Sequence, residues 1–341
     1  MNKPTVHDIA KEAGVSLATV DRVLNARPGV REATIAKVQA VVDRLGYVRD
    51  TSAANLARQR QYRFAFALPE GPSQFVGTLR AAIKEASSPP VADRLAVNLV
   101  TIPSHDPHAI VHRLRGLNPA RYDGLAIMAP ETPQVRDAID RLKESGLAVV
   151  TLVSDLPNSM RDYFVGINSI AAGRTAGLLM GRLNGHPGEV LVVTNSLRSR
   201  DSLERRLGFD AVMSEEFRHL TVLPTIESHD DPRRMETVVR GVTADRPNLT
   251  GIYSMGSGNT QIVKAVQQAG MAERLCIIAH ELTPTTKAGL RSGELAAVIN
   301  QNVGHLARSA LRVLRTLCDK ASIFESQERV RIEIVVRENL P

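Results

Sequence analysis

Polar side chains follow many of the short apolar runs in the second part of this sequence. Asp155 comes two residues after the run that ends at Val153, and Glu281 comes directly after the run that ends at His280. Because ligands of open α/β sheets bind beyond the carboxyl ends of the strands, these positions are candidates for a binding site. Carboxylates and a guanidinium, here Arg205, together satisfy the donors and acceptors of hydroxyl groups. We therefore predict that Asp155, Arg205 and Glu281 converge on one polyhydroxylated ligand; the alternative is a structural ion pair across a cleft.

Three histidines form the best candidate for a metal site and hence for an enzyme. His105, His108 and His112 lie within eight residues of one another. Asp106 and Pro107, however, are typical of an N-cap followed by the first residue of a helix, which leaves the histidines on an exposed helix surface. We therefore predict no metal site, no cofactor and no enzymatic activity.

The elements that position the strand-end residues are alternating strands and helices. This order predicts parallel βαβ units and doubly wound sheets. The strands are expected at Phe64–Pro69, Ala96–Ile102, Gly124–Met128, Ala148–Val153, Phe164–Ile167, Glu189–Thr194, Leu220–Thr225, Gly251–Ser254, Cys276–His280 and Val330–Val336.

The first sixty residues predict three short helices. Thr5 begins a Ser/Thr-x-x-Asp signal, and Gly14 suits the end of the first helix. Ser16 can cap a second helix, whose residues Leu17, Ala18, Asp21 and Arg22 face outward. Two short helices around a turn that contains glycine predict a helix-turn-helix. The third helix, about 31–45, places Ile35, Val38, Val42 and Leu45 on one face.

The charge is concentrated in this same segment. Residues 1–63 contain 11 Lys/Arg and 6 Asp/Glu, whereas the whole chain has a net charge of +7. A local basic excess is typical of a nucleic-acid-binding module, although a solvated basic surface gives the same composition. The two cysteines, Cys276 and Cys318, are expected to be reduced packing residues.

The N-terminal segment resembles the DNA-binding headpiece of the lactose/galactose repressor family. The resemblance rests on residues Val6 to Asn25, on Pro28-Gly29-Val30 and on Leu45-Gly46-Tyr47. It implies a set of DNA-binding residues: Thr5, Ser16, Leu17, Ala18, Thr19, Arg22 and Asn25. Arg22 can bond a guanine edge bidentately, whereas Leu17 and Ala18 offer apolar contacts. Asp21 departs from the serine usual in the family, and its carboxylate would repel phosphate unless Arg22, Arg27 or His7 neutralises it.

Residues 50–60 resemble the hinge helix of that family, which enters the minor groove of DNA. Leu56 occupies the position of the apolar wedge that kinks the duplex. Asn55, Arg58 and Arg60 are expected to supply polar and phosphate contacts. A plain amphipathic linker is the alternative for this segment on its own.

The remaining chain resembles the type I periplasmic-binding-protein fold, in which two similar α/β lobes flank a cleft. The predicted fold is thus an all-α headpiece (1–49), a hinge (50–61) and a two-lobed effector-binding and dimerisation domain (62–341). The resemblance implies that Phe75 stacks on a sugar face and that Arg205 contacts the ligand, with Arg206 solvated. The predicted effector-binding set is Ser73, Phe75, Asp155, Asn168, Arg205, Asn259, Glu281 and Gln301.

Two departures from the family bear on the ligand. Gly256-Ser257-Gly258-Asn259 replaces the common Asn-Asp, so that Asn259 is expected to supply the amide by a different path, and His280 replaces an aromatic residue. A Gly-Ser-Gly turn at a helix start would also suit a phosphate, although such a short motif has little specificity.

The sequence as a whole indicates a transcription regulator, most simply a repressor, that binds a palindromic double-stranded DNA operator and a sugar or polyol. No apolar stretch approaches the length of a membrane span, and the N-terminus has no apolar core of a secretory signal, so a cytoplasmic protein without membrane contact is expected. The absent signal argues against a periplasmic solute-binding protein. The chain ends five residues after its last strand, which predicts a homodimer without a tetramerisation helix.

Overall fold

A computed structural model of the chain describes residues 4–24, 27–45, 47, 60–89, 94–229, 231–256 and 258–341. The chain divides into two compact units, 1–59 and 60–341, and each is considered by itself. Four residues of the predicted DNA-binding set lie outside the described residues: Asn25, Asn55, Leu56 and Arg58.

The first unit contains the three predicted helices. They are α1 (Val6–Ala13), α2 (Leu17–Leu24) and α3 (Glu32–Leu45). A capping box between Thr5 and Asp8 starts α1, and Gly14 ends it in the left-handed conformation, with φ 59°. Ser16 Oγ accepts a hydrogen bond of 3.2 Å from the Thr19 amide and so caps α2. Local capping thus sets both ends of the turn between α1 and α2.

A small apolar core holds these helices together. It consists of Ile9, Ala10, Ala13, Val20, Val38 and Val41. Of the four residues predicted to share one face of α3, Val38, Val42 and Leu45 pack on this core, whereas Ile35 in the first turn is 41% exposed. The contacts to the other helices are made further along α3, through Val38 and Val41.

The N-terminal lobe of the second unit is built on a parallel five-stranded sheet of order β2-β1-β3-β4-β5. Its elements are β1 (Tyr62–Pro69), α4 (Gln74–Ala86), β2 (Leu95–Ile102), α5 (Pro107–Leu114), β3 (Gly124–Ile127), α6 (Pro133–Glu144), β4 (Ala148–Leu152) and β5 (Tyr163–Val165). The central strands are apolar and buried on both faces, as expected for a parallel sheet covered by helices.

The C-terminal lobe is built on a second sheet of order β12-β11-β10-β9-β6-β7, in which β8 also pairs with β6. Its elements are α7 (Ser169–Leu183), β6 (Gly188–Thr194), α8 (Arg200–Glu216), β7 (Leu220–Val222), β8 (Ile226–Glu227), α9 (Pro232–Asp245), β9 (Leu249–Ser254), α10 (Asn259–Gln268), β10 (Cys276–His280), α11 (Pro284–Ser292), β11 (Ala297–Gln301) and β12 (Ile332–Val335). Only β12 runs antiparallel to its neighbour among the described strands.

The chain passes between the two lobes three times. It leaves the first lobe after β5, returns after β11 as α12 (Val303–Cys318), which packs on α4 and β4, and then crosses again through α13 (Glu325–Glu328) to β12. The predicted strands are confirmed within a few residues of their ends, except that the run predicted as Leu220–Thr225 keeps only its first half. Strands β8 and β11 were not predicted from the sequence. None of the described helices combines the length and apolar character needed to cross a membrane.

Helices α7 and α8 approach one another unusually closely. A Cβ atom added to Gly173 would lie 2.0 Å from the carbonyl oxygen of Arg205, and one added to Gly208 would lie 2.1 Å from that of Ile170. Such contacts are possible only because glycine has no side chain. The packing therefore fixes the backbone of α8 at Arg205.

We predict that Gly173→Ala lowers the free energy of unfolding by about 1–3 kcal/mol, because the added methyl group has no space against α8. The matched control is Gly241→Ala in α9, where nothing lies within 4 Å of the added Cβ. This control should be neutral or more stable by about 0.5–1 kcal/mol, since alanine favours a helix over glycine. Urea unfolding of both variants measures the difference, and equal effects would disprove the packing constraint.

Candidate functional site

A cavity of about 230 Å³ lies between the two lobes at the carboxyl ends of their strands. The N-terminal lobe lines it with Ser73, Phe75, Met128 and Ser154 among others, and the C-terminal lobe with Asp201, Arg205, Met255, Asn259 and Glu281 among others. The volume is below the roughly 300–1,000 Å³ of sites for drug-sized molecules, which suits a smaller ligand. Ligands of parallel sheets bind at such strand ends.

Arg205 is the central charged residue of the cavity and is 2% exposed. Its Nη1 donates to the carbonyl oxygen of Met255 over 2.9 Å, and its Nη2 donates to Glu281 Oε1 over 3.0 Å. Asp201, one turn earlier on α8, places Oδ2 3.8 Å from Nη1. The guanidinium is thus held between two carboxylates and the end of β9.

Besides its bond to Arg205, Glu281 is held in place by two hydrogen bonds, which maintain a strained backbone conformation. Its Oε1 also accepts a hydrogen bond of 2.7 Å from the side-chain amide of Gln301. Its own amide donates to the Ile299 carbonyl oxygen over 2.9 Å. Its backbone adopts φ 70°, a left-handed conformation that costs a non-glycine residue roughly 1–3 kcal/mol. Strain of this size persists where the surrounding structure fixes the residue.

Several buried polar atoms of these residues have no protein partner within the described part of the chain. They are Arg205 Nε, Asp201 Oδ1 and Glu281 Oε2. A buried donor or acceptor without a partner costs free energy, which a ligand that supplies both kinds of group would offset. The Arg205–Glu281 ion pair lies within the C-terminal lobe, so the alternative of an ion pair across the cleft does not describe it.

Burial and charge act on the protonation of the pair. Although burial by itself would lower the pKa of Arg205, the carboxylates of Asp201 and Glu281 raise it above its ordinary value. Burial raises the pKa of Glu281, against the opposing effect of Arg205 and the Gln301 amide. The guanidinium therefore stays charged at the centre of the cavity.

His280 lies behind the cavity and is fully buried. Its Nε2 is 2.8 Å from the hydroxyl of Tyr253, with which it shares a hydrogen bond. Burial, together with the nearby charge of Arg205, lowers the pKa of His280 well below its ordinary value. The imidazole is therefore neutral near pH 7.

The lobes contact one another directly on the α8 side of the cavity. Ser154 Oγ accepts hydrogen bonds from the amides of Arg200 at 3.0 Å and Asp201 at 3.5 Å. Glu131 Oε2 accepts from Arg200 Nη1 at 3.3 Å, and the Glu131 amide donates to the Arg198 carbonyl oxygen at 3.3 Å. The N-terminus of α8 is thus bound by residues of the other lobe.

A second contact between the lobes lies at the start of α4. Gln74 Nε2 donates to Thr285 Oγ1 over 2.9 Å, and the Thr285 amide donates to Gln74 Oε1 over 3.3 Å. With contacts at α8 and at α11, the structure has a closed cleft.

The structure brings five of the eight predicted effector-binding residues to the cavity: Ser73, Phe75, Arg205, Asn259 and Glu281. Phe75 is 7% exposed and supplies an aromatic surface. Asn259 links the ends of two strands, because it accepts from Ser254 Oγ at 2.6 Å and donates to the His280 carbonyl oxygen at 3.2 Å.

Asp155 is not brought to the cavity lining. Its carboxylate is bound by the guanidinium of Arg161 through two hydrogen bonds, and it also accepts from Thr151 Oγ1 at 2.8 Å and from the Leu156 amide at 2.7 Å. These partners satisfy both oxygens in the loop after β4. The predicted convergence of Asp155 with Arg205 and Glu281 therefore does not occur in this structure.

Asn168 and Gln301 also lie outside the cavity lining. Asn168 is the N-cap of α7, where its Oδ1 accepts from the Ala171 amide over 2.9 Å. Gln301 ends β11 and is fully buried behind Glu281, to which it donates. Gln301 therefore supports the site through Glu281, whereas Asn168 begins α7.

Asp201 and Ser154 are important in the cavity but were not among the residues predicted from the sequence. Asp201 precedes Arg205 by four residues on a helix, a spacing at which opposite charges meet, and this signal was available. Ser154 gives no such signal, because its partners on α8 are more than 45 residues away in the chain.

The predicted N-cap is confirmed, but only two of the three histidines lie on the helix that it begins. Asp106 caps α5 by accepting from the amides of His108 and Ala109, and Pro107 is the first helical residue. His105 lies in the cavity lining, whereas His108 and His112 are exposed on α5. Among the described residues, no group of three His, Cys, Asp or Glu side chains has the arrangement of a metal site.

The candidate nucleic-acid interface is the outer face of α2. Leu17, Ala18, Asp21 and Arg22 are exposed there, while Val20 is buried beneath them. Asp21 forms an ion pair of 3.2 Å with Arg27, one of the residues expected to neutralise it. Thr5 and Ser16 cap α1 and α2, and Thr19 is half-buried. Arg60 instead bonds within the second unit to the Cys318 carbonyl oxygen at 3.1 Å.

Two sequence families match this chain. Residues 64–322 match the family described as "Periplasmic binding protein domain", and residues 5–50 match "Bacterial regulatory proteins, lacI family". Catabolite control protein A of Priestia megaterium is 28% identical over 165 residues, which are 47% of this chain and 48% of that protein. The HTH-type transcriptional regulator DegA of Bacillus subtilis is 27% identical over 176 residues, 51% of this chain and 50% of that protein. The alignments thus span about half the length of these curated relatives.

The fold also resembles solved structures of solute-binding proteins. One is an ABC transporter solute-binding protein from Burkholderia graminis in complex with D-arabinose, with a TM-score of 0.73 and 24% identity. The match covers 82% of this chain and 97% of that one. This likeness shows the two-lobed fold.

We predict that buried His280 makes the protein less stable in acid. The pKa of His280 is lowered in the folded protein, so in mild acid the unfolded chain binds a proton that the folded chain does not. The free energy of unfolding therefore falls as the pH drops through about 6.5, by up to about 1.4 kcal/mol per pH unit. His280→Gln should lose less stability than the wild type between pH 7 and pH 5. Thermal unfolding at each pH measures this, with His186→Gln at an exposed position as the control. Parallel curves for His280→Gln and wild type would contradict the buried neutral imidazole.

Proposed function

Because this chain belongs to the lacI family of bacterial regulatory proteins, with a periplasmic-binding-protein domain over most of its length, we propose that it is a transcriptional repressor controlled by a sugar or polyol. We propose further that it acts in the cytoplasm as a homodimer on a palindromic operator and catalyses no reaction. The similarity to Catabolite control protein A and to the transcriptional regulator DegA supports this proposal.

The observation that carries the proposal is the outer face of α2 in a chain that also has a polar cavity. A recognition helix enters the major groove with its N-terminal residues, and in α2 these are the exposed Leu17 and Ala18, followed by Arg22 one turn later. The ion pair of Asp21 with Arg27 supports this role, because it reduces the repulsion between Asp21 and phosphate. The predicted hinge residues Asn55, Leu56 and Arg58 remain part of the proposal.

The cavity supports a polyhydroxylated effector. Arg205, Asp201 and Glu281 present buried donors and acceptors without protein partners in the described chain, and Phe75 offers an apolar face of the kind that stacks on a sugar ring. The D-arabinose complex of the Burkholderia neighbour has the same fold at low identity and makes pentoses and hexoses a reasonable first choice. The acidic residues beside Arg205 disfavour a phosphorylated ligand, so we do not propose a phosphate site at Gly256–Gly258.

Control of DNA binding would follow from closure of the lobes on the effector. A ligand shifts such an equilibrium only by the difference in its affinity for the two states. A ligand that contacts both lobes would bind the closed state more tightly than the open one, because opening the lobes would separate Phe75 from Arg205.

We predict that selection from random double-stranded DNA yields a palindromic sequence. One headpiece reads too few bases, whereas a symmetric dimer reads two related half-sites. Arg22→Ala should cost about 1–3 kcal/mol and relax the preference at one base pair in each half-site. The control Arg44→Ala removes the same charge from α3, where Arg44 pairs with Glu12 of α1, and should leave base preference intact. Fluorescence anisotropy titrations test both variants, and an asymmetric selected site would refute the dimeric mode.

We predict that Asp201→Asn abolishes or weakens the effector response by at least about tenfold, since a charged hydrogen bond contributes roughly 1.5–3 kcal/mol. The effector is found first by thermal shift with monosaccharides and polyols, beginning with D-arabinose, and the response is the loss of operator binding on its addition. The control is Arg206→Ala, because Arg206 is not part of the cavity lining. Contrary to the prediction that Arg206 is solvated, its Nε donates a hydrogen bond of 2.7 Å to Asp210. A normal response in Asp201→Asn would remove this residue from the site.

A further inference from the structure

Helix α8 begins differently from most helices of the second unit. Those helices are capped by the side chain of their own N-cap residue; examples are Ser73 for α4, Thr132 for α6, Asn168 for α7, Asp231 for α9 and Asn302 for α12. Ser199 is the N-cap of α8, yet within the described structure its hydroxyl makes no capping hydrogen bond. The first amides of a helix need a partner from elsewhere when this happens.

The partner comes from the other lobe. Ser154, in the loop after β4, accepts from the amides of Arg200 and Asp201, the first two residues of α8. Its side chain is buried, and the residue itself is 2% exposed. The hydroxyl therefore takes the place of an N-cap, although it belongs to a different lobe and lies 46 residues earlier in the chain.

The backbone before Ser154 is strained in a way that directs this hydroxyl. Val153 adopts φ 64°, which is a rare conformation for a β-branched residue. Its amide donates to Val165 over 3.0 Å, which holds the turn against β5. Strained residues of this kind are concentrated at ligand sites and switch regions, where the surrounding contacts maintain them.

We propose that Ser154 is a positioning residue: its hydroxyl caps α8 only while the lobes are closed, and closure thereby fixes Asp201 and Arg205 for the ligand. Asp201 lies in the first turn of α8 and Arg205 in the second, so an ordered start of the helix sets both side chains. That these two side chains bind the effector rests on the proposed function; the cap itself does not.

The neighbouring contacts agree with this coupling. Glu131 of the N-terminal lobe binds the Arg200 side chain and the Arg198 carbonyl group, at the same end of α8. Gln74 and Thr285 join the lobes at α11, outside α8. Separation of the lobes must therefore break the cap together with these contacts.

The test is hydrogen exchange of the Arg200 and Asp201 amides in the full-length protein, without sugar or operator. In Ser154→Ala these amides should exchange about 2- to 30-fold faster than in the wild type, the range that corresponds to loss of an N-cap. Ser199→Ala is the matched control and should leave the exchange of these amides unchanged. In both variants, exchange of the first amides of α9 should also stay unchanged, because Asp231 of the same lobe caps that helix. Unchanged exchange in Ser154→Ala, or an equal increase in Ser199→Ala, would overturn the assignment.

A second variant tests the dependence on closure. Gln74→Ala removes the contact with Thr285 without touching α8, so it should raise the exchange of the Arg200 and Asp201 amides while the first amides of α9 stay protected. No change at α8 in this variant would mean that the cap does not depend on closure, which contradicts the proposal. Because neither measurement involves an effector or DNA, they decide the role of Ser154 even if the proposed function fails its own tests.

Discussion

The ion pair between Arg205 and Glu281 is the interaction around which the C-terminal lobe is arranged. A guanidinium that is 2% exposed must be paired, since an isolated buried charge costs more than folding can offset. The pairing requires α8, the end of β9 and the end of β10 to meet at one point, because Met255 supplies the third partner. The positive φ of Glu281 is maintained by this meeting of three elements.

Close packing elsewhere in the lobe serves the same arrangement. Gly173 and Gly208 allow α7 and α8 to touch along their backbones, which places Arg205 over the sheet edge. The N-terminal lobe then completes the cavity with Phe75 and holds the start of α8 through Ser154. Helix α8 thus carries Asp201 and Arg205 of the cavity and also one of the two contacts described between the lobes. Under the proposed function, this shared helix would connect ligand binding with closure of the lobes.

The sequence by itself determined the features that depend on residues close together in the chain. The helix-turn-helix follows from caps and glycine within a few residues of each other, as with Thr5, Ser16 and Gly14. The order of strands and helices follows from the length and spacing of apolar runs. The rule that ligands bind beyond strand ends pointed to Glu281, whereas Arg205 was predicted from the resemblance to the family. These inferences needed no knowledge of which strands are neighbours.

Only the tertiary structure decided which polar groups were already satisfied by others. Asp155 follows a strand like Glu281 does, yet Arg161 folds back onto it and removes it from the cavity lining. Gln301 lies one layer behind the site because β11 pairs with β10, and Ser154 enters it because a second lobe closes over α8. The physical reason is that a hydrogen-bonding group can be used by any partner that the fold brings within 3 Å or so, and such partners are set by distant parts of the chain.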